Sequence, residues 1–356
     1  MKIAILGAGA VGRATAAVLC SRSHEAILWS PSGRSTVAFA AGEALAATGA
    51  LSGTFHPTVA ATCETAIAAA HVVLLALPCE AHRKIMDMIA PLIRPDQIVI
   101  ISSHCSLGSI YLAQRLSARH VAAPIVALGT TVAYSRADGP AGVHIWFVRD
   151  RIECATLPAT ASAAGLALCE TLFGKRFAGL KDVIAATLSN VNGQAHLAMV
   201  LANFTRMERA ERWHPFEYAT EAVSRFAVAL DRERLATAAA FAAHVQTFAE
   251  FLHFTYHVPQ RPVADMFKAM HALGDDDMAG PATLESRWIT QDIPFIIAPL
   301  IQLAGVAGTN ARVHEAGVEV LSALYGRDLR AGNDILPTFG LQGLSVSDVR
   351  ALAQSA

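Results

Sequence analysis

Along the first half of the chain, short apolar runs alternate with stretches of helical period. Ile3 to Leu6, Ala26 to Trp29, Val72 to Leu77, Ile98 to Ser102, Ile125 to Leu128 and Val143 to Val148 read as strands, while Glu80 to Leu92 and Ile110 to Leu116 repeat apolar residues at helical spacing. Nearly continuous apolar strands separated by helices are the signature of a parallel sheet covered on both faces. An α/β domain with a Rossmann-type doubly wound sheet is therefore expected over residues 1–180. After about Phe177 the pattern changes. From Asp182 to Phe254 the chain is an almost unbroken amphipathic helical pattern with few glycines, and helices resume after Pro281, so 181–356 is expected to be an all-α C-terminal domain. The segment His257 to Met278, with Pro259, Pro262, Gly274 and the run Asp275-Asp276-Asp277, reads as a loop and as the candidate mobile cover of a cleft between the domains.

The junction of the first strand and first helix carries the strongest local signal. Gly7-Ala8-Gly9-Ala10-Val11-Gly12 follows the apolar run and opens an alanine-rich helix, as in a dinucleotide-binding βαβ unit. Gly7 allows the tight turn, Gly9 the approach of a pyrophosphate, and Gly12 the packing of helix on strand. The N–H groups at Ala10 and Val11 then face the phosphates. The second strand should end in a carboxylate if it holds a free ribose 2′-OH, but this chain has Ser30, Pro31, Ser32, Gly33 and Arg34 there. Hydroxyls and a guanidinium suit a 2′-phosphate, so NADP(H) is favoured over NAD(H). Leu77, Pro78 and Cys105, at the ends of later strands, complete the expected cofactor contacts.

Composition narrows the classes. A formal charge of -1 and a pI near 6.9 offer no electrostatic case for nucleic acid or an anionic membrane. The hydrophobic content of 53% and mean hydropathy of +0.40 are largely alanine, and the best apolar stretch, Ile293 to Leu303, is interrupted by Pro294, Pro299 and Gln302. No membrane span is expected. Six cysteines without a C-x-x-C pair read as the reduced thiols of a cytoplasmic protein. His253 and His257 lie four apart, but no third ligand accompanies them, so no metal site is expected.

Two stretches of the second half carry candidate chemistry. His196 stands inside an apolar helical pattern that begins at Asn190, and Arg287 and Asp292 lie five apart beside a proline-punctuated apolar run. Together with the glycine turn, Ala76-Leu77-Pro78, the region Thr130 to Arg136, and Asn203, these residues resemble the octopine/nopaline (opine) dehydrogenase family across nearly the whole chain. The resemblance implies His196 and Asp292 as catalytic pair and Arg287 as the cation for a substrate carboxylate, with Thr131, Tyr134 and Asn203 among the substrate contacts. It also implies an NAD(P)H-dependent condensation of an α-keto acid, pyruvate by default, with the amine of an amino acid, in a homodimer. Leu197, Gln291 and Leu128-Gly129 depart from the residues common in that family. A general acid near neutral pH is what loss of water from such an adduct requires, and histidine meets that need.

Two alternatives share the glycine turn. A lysine-dependent reductase of the ketopantoate type would use Lys181, nine residues before Asn190. A non-catalytic NADP sensor would not need His196, Arg287 and Asp292 together. The charges at Asp231, Glu233 and Arg234 read as a solvated or salt-bridged helix face.

Overall fold

A computed structural model describes residues 1–274 and 278–354. The chain falls into two compact units, Met1–Ala186 together with the residues from Ala351, and Thr187–Arg350. The acidic run Asp275-Asp276-Asp277 lies outside the described residues.

The first unit is built on an eight-stranded sheet in the order β12-β11-β8-β7-β6-β1-β2-β5. Its strands are β1 (Lys2–Leu6), β2 (Glu25–Trp29), β5 (Thr58–Val59), β6 (Val72–Leu75), β7 (Ile98–Ile101), β8 (Ile125–Leu128), β11 (Ile152–Leu157) and β12 (Phe177–Gly179). The central strands β1 and β6 are wholly buried from Ile3 and Val72 onward, which explains why they are apolar without alternation. All pairings are parallel except β11 with β8. From β1 the sheet grows to one side through β2 and to the other through β6, so the order reverses between β1 and β6. Ligands of such sheets bind outside the strand ends at that point.

A second, four-stranded sheet was not expected. It has the order β4-β3-β10-β9, with β3 (Leu45–Gly49), β4 (Gly53–Phe55), β9 (Ala133–Asp138) and β10 (Gly142–Val148). The run Val143 to Val148 therefore belongs to this sheet and not to the parallel one. Its partner β9 exposes Arg136, Ala137 and Asp138, so it lacks the apolar signature of a core strand. Arg13 ties this sheet to the first helix, donating to the carbonyls of Ala8, Gly139 and Gly142.

The second unit is helical, with its longest helices at Asn192–Glu208, Glu221–Ala240 and Arg312–Tyr325. Within the segment expected to be a loop, a helix runs from Val263 to His271. Pro262 caps it, a position where the missing N–H costs nothing, and Val263, Met266, Phe267 and Met270 bury one face. Nor is the Asp231–Arg234 face solvated. Arg234 is fully buried, donating to Asp231 Oδ1 at 2.8 and 2.7 Å and to the carbonyls of Leu188 and Gln246. Glu233 accepts from the backbone N–H of Val313 and His314 and pairs with the His314 ring at 2.8 Å. The helical run Arg287–Ala307 is, by length and composition, apolar enough to cross a membrane, but more than half of its most apolar stretch is buried, with Ile289, Ile293 and Ile297 in the core of the helical unit.

Candidate active site

The glycine turn has the geometry a dinucleotide needs. Gly7 has φ +114°, and a Cβ there would lie 2.3 Å from the carbonyl oxygen of Ala76, across the reversal point of the sheet. A Cβ on Gly12 would meet Gly7 O at 1.8 Å, so helix and strand approach as closely as the motif requires. Around Gly9 the space is open, and Gly9 caps the helix Ala10–Ser21, whose first turn holds no acidic residue. These residues fit a pyrophosphate: free N–H donors, a positive dipole end and room for the phosphates.

Ser30 follows β2 and is buried, whereas Arg34 is exposed at the start of a short 3-10 turn, with no hydrogen bond or ion pair to its guanidinium among the described residues. Pro78 is exposed at the end of β6, while Leu77 is half-buried and its carbonyl accepts from His82 Nε2. Cys105 is buried, with Sγ 3.6 Å from His82 Nδ1. Its loop is strained: Ser103, Ser106 and Leu107 all have positive φ.

In the helical unit, the structure brings His196 and Asp292 together: the imidazole Nδ1 is hydrogen-bonded to Asp292 Oδ2. The local sequence explains the approach. Gly193 lies against the wide turn Ile293–Ile297, where a Cβ would meet Ile297 Cδ1 at 2.8 Å and Ile296 Cγ2 at 3.0 Å. One helical turn beyond Gly193, His196 faces Asp292, just ahead of that turn. Pro294, which has no N–H to give, sits inside it, and its carbonyl is held by Asn333 Nδ2 at 2.7 Å. Both members remain partly accessible, at 20% and 15% of their side-chain surfaces. A carboxylate accepting from Nδ1 places the proton there, so Nε2 is the nitrogen left for chemistry.

Arg287 opens the short helix Arg287–Thr290, exposed, with its guanidinium unpaired among the described residues. Asn203 is different. It is buried at a kink in Asn192–Glu208, and its Nδ2 donates to Met199 O at 2.9 Å, so the amide shapes the helix. Thr131 and Tyr134 belong to the first unit: Thr131 Oγ1 donates to Ala133 O, and the Tyr134 ring packs on Trp146 and Phe147. Lys181 is exposed at the end of that unit. Leu197 is fully buried against Gly317.

One member of the site escaped sequence reading. The Trp288 indole lies flat on the His196 imidazole, with ring centroids 4.1 Å apart and planes 8° from parallel. The signal was present, since Trp288 and Asp292 are four apart on one helical run and so share a face.

Fold and site together define an NAD(P)-dependent dehydrogenase with a helical second domain. Residues 179–325 match the family described as NAD/NADP octopine/nopaline dehydrogenase, alpha-helical domain, and residues 2–108 match the N-terminus of NAD-dependent glycerol-3-phosphate dehydrogenase. The opine dehydrogenase of Arthrobacter sp. (strain 1C) is 26% identical over 360 residues, covering 99% of this chain and 98% of its own. An octopine dehydrogenase solved with NADH and L-arginine has the same fold, with a TM-score of 0.79 at 15% identity over 98% of this chain and 97% of that one. So does yersinopine dehydrogenase with NADP+ bound, at a TM-score of 0.72, 14% identity and 98% and 99% coverage. Residues 179–325 thus match the helical domain of the octopine/nopaline dehydrogenase family, and the chain is similar to an opine dehydrogenase along its full length.

Proposed function

We propose that this protein joins an α-keto acid to the amine of an amino acid by reductive condensation, with His196 as general acid and base. The observation that carries this assignment of roles is the His196–Asp292 hydrogen bond, with Arg287 five residues before Asp292 on the same segment. The amine adds to the keto carbonyl, and the resulting hydroxyl must leave as water. A protonated His196 Nε2 gives it that proton, and Asp292 stabilises the imidazolium and holds the ring in one tautomer. Arg287 pairs with the keto acid carboxylate through a planar two-point contact. A bound nicotinamide supplies the hydride that reduces the imine carbon, giving a secondary amine flanked by two carboxylates.

NADP(H) is preferred over NAD(H) in this reading, supported by the missing carboxylate after β2 and by Ser30 and the unpaired Arg34. Pyruvate is the first keto acid to try, in keeping with the family.

The test is a matrix of amino acids against pyruvate, oxaloacetate, glyoxylate and 2-oxoglutarate, followed by NADPH absorbance. Oxidation that needs both an amino acid and a keto acid supports the proposal. Equal rates with keto acid alone would place the chain among simple keto acid reductases, and no oxidation with any pair would favour a sensor.

A further inference from the structure

We propose that Trp288 is a positioning residue for catalysis: its indole is the platform that sets the plane of the His196 ring, and Trp213 fixes the platform. The inference rests on the acid–base role given to His196 above. A hydrogen bond from Nδ1 to Asp292 fixes one point of the imidazole but leaves the ring free to swing about that bond. The flat contact with Trp288, 8° from parallel, removes that freedom. With both constraints, Nε2 points in one direction, which proton transfer to a bound adduct requires.

The platform is itself held. Trp213 is buried and meets Trp288 edge-on, with centroids 6.2 Å apart and planes at 86°. Its own indole is anchored, since Nε1 donates to Pro281 O at 2.9 Å, and its backbone carbonyl accepts from Gly280 N at 2.8 Å. Gly280 has to be glycine here, because a Cβ would fall 2.3 to 2.6 Å from three atoms of the Trp213 ring. The Trp288 N–H is capped by Ser286 Oγ, and Ile289 beside it is fully buried. A strap at Gly280-Pro281 thus fixes Trp213, Trp213 fixes Trp288, and Trp288 carries the imidazole.

The experiment compares Trp288→Phe, which keeps a flat face, with Trp288→Leu and Trp288→Met, which keep apolar volume without one. Rates are measured with NADPH, pyruvate and the amino acid giving the highest turnover. The phenylalanine variant is expected to hold kcat within about threefold, and the non-planar variants to lose about tenfold or more, with KM for pyruvate and Kd for NADPH within about twofold throughout. A non-planar variant with native kcat, or losses equal in all three, overturns the proposal. A second measurement stands if the non-planar variants fail to fold. In the native enzyme the His196 Hε1 resonance, identified by its loss in His196→Gln, should be shifted upfield by the indole ring current, and an ordinary position overturns the stacking. His196→Gln also separates the two claims. If it keeps native turnover, the acid–base role itself fails; if it is inactive while Trp288→Leu is fully active, only the platform fails.

Discussion

Asp292 Oδ2 is hydrogen-bonded to Nδ1 of His196, a residue 96 positions earlier in the chain, and the contact exists because Gly193 lets two helical segments meet closely. Replacing the carboxylate by an amide keeps the shape but weakens the hold on the tautomer and the support of the imidazolium. Asp292→Asn should therefore lower kcat by about 10²- to 10⁴-fold while NADPH binding, measured by fluorescence titration, changes little.

Arg287→Ala should act on binding more than on turnover. In the proposed reaction the guanidinium would pair with a carboxylate present before and during the chemistry, so KM for the keto acid is expected to rise with kcat less affected. Arg287→Lys should recover only part of the loss, because an ammonium cannot make the two-point contact. Steady-state kinetics in the keto acid at saturating amino acid measure both.

The proposed cofactor preference rests on the residues at the end of β2. NADPH should bind more tightly than NADH, and Arg34→Ala should narrow the gap by weakening NADPH alone. Titration of the two cofactors against native and variant protein tests this.

The first unit should be acid-labile through His104. Burial, with the charge of His82 nearby, pushes its pKa down to about 3, and its Nε2 accepts hydrogen bonds from Ser109 N and Oγ at 3.0 and 2.8 Å. The unfolded chain takes up a proton near the ordinary histidine value of about 6.5 and the folded chain does not. This contribution to stability is complete above pH 6.5 and is lost progressively as pH falls toward 3. Melting temperature should drop between pH 7.5 and 5, and less steeply in His104→Gln, provided that variant folds.

The sequence made the parallel sheet legible because its strands are buried on both faces and read as unbroken apolar runs. The second sheet was hidden for the opposite reason: β9 is half-exposed, and β3 is made of alanine, threonine and glycine after Leu45. At Arg234 the expected i, i+3 salt bridge with Asp231 is present, but its burial was not legible, because the carbonyls of Leu188 and Gln246 that complete its hydrogen bonds come from distant parts of the sequence. Prolines misled at Val263–His271, because the same residue that breaks a helix also starts one. Within the site, His196 and Asp292 could be linked only through a family resemblance, since nothing local joins residues so distant. Trp288 shows the converse: its spacing from Asp292 was readable, but its partner ring was not.

The most direct test of the proposed chemistry is the turnover of His196→Ala, measured beside Lys181→Ala with NADPH and a saturating keto acid and amino acid. The account predicts that the histidine variant loses about 10²- to 10⁴-fold in kcat and still binds NADPH, while the lysine variant stays near native. Near-native turnover without His196, together with loss of activity without Lys181, would contradict it and assign the chemistry to a lysine-dependent reductase.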